Sequence, residues 1–164
     1  MEELRRGSKN YLVLGDTTNA IEVLTAFINE AEKAKAVDPN IGFAGVESRL
    51  LLAEIYVYQK KWGLVNTEIN AIRPEIKPSW LILAQSRLHY IEGLVDYYHT
   101  SYKSAIEKFS DALYKDKNNH DAKYFRAKAY EKAGMKKKYI ADLKDLQEDN
   151  FKVSKQLYQA SLQN

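Results

Sequence analysis

The chain has 164 residues, 25 basic against 22 acidic side chains for a net charge of +3, 45% apolar residues and a mean hydropathy of −0.51. That is one domain's length with enough apolar side chains for a core, and it argues against a disordered chain. The absence of cysteine excludes disulfides, thiolate metal sites and a cysteine nucleophile, and no run nears the ~18 apolar residues of a membrane span.

The opening Met1-Glu2-Glu3-Leu4-Arg5-Arg6 lacks the apolar stretch of a secretory signal, so the cytoplasm is the expected location. Thr17-Thr18 open a helix in which Ile21, Leu24, Phe27 and Ile28 share one face. Pro39, Pro74 and Pro78 punctuate the middle of the chain, and Ser79 before Trp80 marks another helix start. Ile106, Phe109, Ala112 and Leu113 again share a face, and Asn119 precedes a segment beginning at Asp121. Strand-like alternation is scarce, and neither Asn-Gly nor Asp-Gly occurs. The reading is all-α, with helices of ~12–20 residues joined by ~3–6-residue turns and so packed antiparallel. Lengthened helices are expected over 20–36 and 79–99.

A repeat runs through this pattern. Gly7-Ser8, Tyr11, Gly15, Ala20, Leu24 and Phe27 align with Ala53, Tyr56, Trp62, Val65, Ile69 and Ile72. Gly93, Tyr102, Ala105, Phe109 and Ala112 follow, then Ala127, Tyr130, Gly134, Ile140, Leu143 and Leu146. Gly93 answers Ala127 and Phe109 answers Leu143, both at a spacing of 34 residues. Small residues let two helices approach, and an aromatic fills the gap beside them.

These residues resemble the tetratricopeptide repeat family over most of the chain. The approximate repeats are 1–34, 46–79, 86–119 and 120–153 of a single domain spanning 1–164. Departures are the insertions 35–45 and 80–85, Asp96 at a place where the family prefers an aromatic, and Tyr139 where a small residue belongs. The resemblance implies an α-solenoid, a right-handed superhelix of stacked antiparallel helix pairs. The exposed apolar end of such an array needs a cover, and a C-terminal capping helix over 150–163, with Phe151, Leu157 and Leu162 facing backwards, is expected to supply it.

The residues offer little chemistry. His89 and His99 are nearly three helical turns apart, ~15 Å, too far for a shared metal. No zinc-protease, nucleophile-elbow, P-loop or dinucleotide-binding motif occurs. Asp142 and Asp145, at helical spacing, read as solvated surface. The expectation is therefore a protein that is not an enzyme and needs no cofactor or metal. Lys136-Lys137-Lys138 is the one basic triplet, but neighbouring acids dilute it, so nucleic acid is not an expected partner and the triplet reads as a solvated turn. Membrane insertion is not expected either.

Twelve tyrosines point elsewhere. The resemblance implies a concave surface built mostly from the first helix of each pair. On this chain its middle is a groove of Tyr58, Tyr90, Leu94, Tyr97, Tyr98 and Tyr124, flanked by Arg87 and Lys128. Tyrosine supplies rigid area and a hydroxyl at low entropic cost, and basic groups grip carboxylates, so the expected partner is a protein or peptide segment. The family's carboxylate clamp is not expected, because Val13, Asp121 and Phe125 stand where its polar and basic residues belong. The alternative reading is a homo-oligomer that assembles through its repeat ends.

Overall fold

A computed structural model of the chain describes residues 15–76 and 81–148. The first half of the opening repeat, the Ser79 helix start and the expected capping helix lie outside the described residues. Among the described residues there are seven helices and no strand, so the fold is all-α. They divide into two compact units, 15–76 and 81–148. None of the described helices is long and apolar enough to cross a membrane.

The first unit holds α1 (Thr17–Ala34), α2 (Pro39–Tyr58) and α3 (Trp62–Ile72). The Asp16 side chain caps α1 by accepting from the Asn19 N–H at 3.1 Å, one position ahead of the Thr17-Thr18 signal. Pro39 opens α2, where its missing N–H has no helical partner to lose. The α1 face of Ala20, Leu24, Phe27, Ile28 and Ala31 is buried, as the periodicity requires. By contrast α2 is covered almost all round, with Leu52 through Val57 all buried, because α1 and α3 both pack on it. Arg49 of α2 ties the three helices together, donating to Glu68 of α3 at 2.8 Å and to Glu32 of α1 at 3.4 Å.

The second unit holds α4 (Ile82–Tyr98), α5 (Tyr102–Lys115), α6 (His120–Lys132) and α7 (Lys136–Glu148). Each helix packs on its neighbour in sequence, and α4 also touches α6. Successive helices are antiparallel, so α4 and α6 run the same way. At one end the buried Ser86 hydroxyl of α4 donates to the Ala112 carbonyl of α5 at 2.8 Å and accepts from Asn119 at 3.0 Å. Asn119 simultaneously caps α6 by accepting from the Ala122 N–H, so Ser86 and Asn119 together join three helices. In mid-helix Gly93 lies against Phe109: a Cβ there would stand 2.6 Å from two atoms of the ring. This is the close crossing the small residue predicts.

One turn geometry recurs in both units. Lys60, Thr100 and Gly134 each take a positive φ, of 55, 62 and 73°, two residues before a helix begins. The next N–H, of Lys61, Ser101 or Met135, bonds back to the carbonyl of Tyr56, Asp96 or Tyr130 at 2.8–2.9 Å. These are Schellman closures, which satisfy the helix's last carbonyls and turn the chain directly into the next helix. Gly15, with φ 77°, stands in the same relation to α1.

Candidate functional site

The expected groove residues do not share one environment. Tyr90 and Leu94 are core residues, 3% and 0% exposed, and no partner can reach them. The Tyr90 ring packs on Phe109 and Phe125, with centroids at 6.2 and 6.1 Å, and those two rings also meet each other at 6.2 Å. The reason is that α4 is wrapped by α5 and α6, so the face expected to line a groove is spent on packing. Tyr58 is half-buried at the end of α2 in the first unit. Arg87 is half-buried and already engaged within the fold, about 15 Å along α4 from Tyr97 at a helical rise of ~1.5 Å per residue.

The other four residues come together. Tyr97 and Tyr98 at the end of α4, Tyr124 on α6 and Lys128 one turn further on are all half-buried. Tyr97 is the hub, edge-on to Tyr98 at 5.6 Å, to Tyr102 at 5.7 Å and to Phe125 at 5.7 Å. Tyr124 meets Phe125 edge-on at 5.4 Å. Such T-shaped contacts align the positive ring edge with the negative ring face and fix each ring's orientation.

The electrostatics join the same residues. Burial, chiefly, pushes the Tyr97 hydroxyl above the usual tyrosine value; neighbouring Tyr102 adds to this and Lys128 opposes it. Burial also raises Tyr98, helped by Tyr97 and Tyr124. Burial works against the Lys128 ammonium, but Tyr124, Glu131 and Tyr139 outweigh it and hold Lys128 above the ordinary lysine value. The face therefore carries neutral phenols beside a firmly protonated lysine, which Glu131 meets at 3.4 Å. Phenol hydroxyls donate and accept, ring faces take apolar or cationic groups, and the lysine takes carboxylate or carbonyl oxygens.

Phe125, Tyr102 and Tyr139 belong to this cluster although the sequence offers no groove role for them, and Glu131, a concave-surface place by the family pattern, joins it through Lys128. Phe125 is the main omission: it touches Tyr90, Tyr97, Phe109 and Tyr124 and so supports the face from beneath. Asp142 is a correction of another kind. Far from solvated, it is buried and held in a fork by Arg126, whose Nε and Nη2 donate at 2.8 and 2.7 Å. Arg126 and Lys138 cover the Tyr130 ring, at 5.8 and 5.5 Å from its centroid. Among the described residues no group of three or more His, Asp or Glu side chains is placed to hold a metal ion.

No family model matches this chain, and no curated protein or solved structure matches it either.

Proposed function

We propose that this chain is a helical-repeat module of the tetratricopeptide kind, an α-solenoid that binds a partner protein non-catalytically as an adaptor or assembly subunit. The face that carries the binding is Tyr97, Tyr98 and Tyr124 with Lys128. The supporting observation is that these four half-buried residues, from α4 and α6, neighbour one another in the second unit, joined through Phe125 and through their charges. Rigid aromatic anchors beside a charge are what alanine scans find at the centre of protein interfaces. The recurring Schellman turns and the contact of α4 with α6 support the repeat reading. The partner segment brings apolar or aromatic side chains to the rings and an acidic or carbonyl group to Lys128.

The test is capture from a lysate with mass-spectrometric identification, using the parent chain, Tyr98→Ala/Tyr124→Ala and Tyr114→Ala. Tyr114 is 84% exposed near the far end of α5 and serves as the control. Circular dichroism establishes that each variant is folded. Partners kept by Tyr114→Ala and lost from the double variant support the face. Partners kept by all three sink it. A mass by light scattering that rises with concentration, with no other protein captured, favours self-assembly instead.

A further inference from the structure

The α6–α7 turn carries a charge arrangement that binding through the tyrosines leaves unused. Lys132 ends α6, and Lys136, Lys137 and Lys138 form the first turn of α7; all four are exposed. Exposed Lys103, second residue of α5, lies at the same end of the unit, because α4 and α6 run parallel and each turns there into the next helix. Among the described residues, no ion-pair partner meets Lys103, Lys132, Lys136, Lys137 or Lys138. The nearby acids are committed elsewhere: Glu131 to Lys128, Asp142 to Arg126 and Asp145 to Lys123. No acidic residue stands in the first turn of α7. Lysines at a helix N-terminus oppose the helix dipole, so this placement works against α7 rather than for it.

Two apolar side chains lie among these lysines. Met135, just before α7, is 37% exposed, and Ile140, one turn after Lys136, is 52% exposed. The site is the tip of a helical hairpin rather than a cleft. We propose that this tip adsorbs to an anionic lipid surface, with the lysines on headgroup phosphates and Met135 and Ile140 entering the headgroup boundary. A flat interface of that kind meets both classes of side chain at once, and it requires no helix to cross the bilayer. Nucleic acid fits less well: exposed Met135 and Ile140 among the lysines have no counterpart on a phosphate backbone, and the Tyr130 ring, 8% exposed and covered by Arg126 and Lys138, offers bases no face to stack on.

The experiment is co-sedimentation of the whole chain with phosphatidylcholine vesicles, with or without about 30% phosphatidylserine. Binding is expected only to the phosphatidylserine vesicles, and about 0.5 M salt weakens it by screening. Each lysine near such a surface is worth about fivefold, so Lys136→Glu/Lys137→Glu/Lys138→Glu loses about 100-fold or more. Met135→Ser/Ile140→Ser, which keeps the charge, loses about tenfold. Circular dichroism verifies that both variants fold, and the partner capture above, repeated with each, shows whether the tyrosine face still works. No association with phosphatidylserine vesicles, equal association with neutral ones, or indifference to either variant overturns the proposal. Binding of a short RNA or of polyglutamate through the same lysines, with vesicles ignored, overturns it as well.

Discussion

Replacing Gly93 by Ala tests how closely α4 and α5 meet. The added Cβ would lie 2.6 Å from Cδ1 and Cε1 of Phe109 and 3.1 Å from Cζ. Carbon atoms at rest stand about 3.5–4.0 Å apart, so the ring or one helix must move by about 1 Å. Phe109 has little freedom to do so, being fully buried against Tyr90 and Phe125. Overpacking of this kind costs about 1–3 kcal/mol, while alanine in place of glycine favours the helix by up to about 1 kcal/mol. The net loss is up to about 2 kcal/mol, or up to about 8 °C in Tm for a chain of this length. Thermal and urea unfolding followed at 222 nm measure it. Gly63→Ala is the internal control, since nothing lies within 4 Å of its Cβ position and only the helix gain remains. Pairing Gly93→Ala with Phe109→Leu removes ring atoms from the contact, so the double variant should be more stable than the two single losses added together. A Gly93→Ala protein that gains as much stability as Gly63→Ala, or strict additivity with Phe109→Leu, would refute the close crossing.

Arg126→Ala should cost about 3 kcal/mol in urea unfolding, because it strands the buried Asp142 carboxylate; adding Asp142→Ala should restore part of the loss. At the recurring turns, Thr100→Gly and Lys60→Gly should each raise stability by about 0.5–1 kcal/mol, whereas Gly134→Ala should lower it by about 1 kcal/mol in the same assay. Tyr97 and Tyr98 keep their protons more tightly folded than unfolded, so their contribution to stability is complete below pH 10 and lost as pH rises through the shifted values. A phenolate absorbance titration should show a late-ionising step that shrinks in Tyr97→Phe and vanishes on denaturation.

The helices were legible because their apolar spacing is local: α1 buries the Ala20, Leu24, Phe27 and Ile28 stripe that the pattern marks. Asn119 was legible as a helix start for the same reason, though its bond to Ser86 of α4 was not. The groove was read from places along the first helix of each pair, and that rule fails where a helix is enclosed. Tyr90 and Leu94 therefore went to the core, while Tyr97 and Tyr98, at the helix end where cover runs out, stayed reachable. Asp142 misled because its obvious neighbour in sequence is Asp145, while its partner Arg126 sits on another helix, 16 residues away. Phe125 stood in plain view but its contacts come from three helices, which no window along one helix displays.

The neighbour-to-neighbour packing within 81–148 has a kinetic consequence. Nearly every partner of a helix there is the next one along, so little loop entropy must be spent before a contact forms. Refolding of this segment should then be rapid, in the microsecond-to-millisecond range typical of low contact order. The turn amides of Ser101 and Met135, each locked to a carbonyl five residues back, close the α4–α5 and α6–α7 hairpins. In hydrogen exchange under native conditions those amides should outlast the exposed ends of their own helices, making each hairpin a separately readable step of opening.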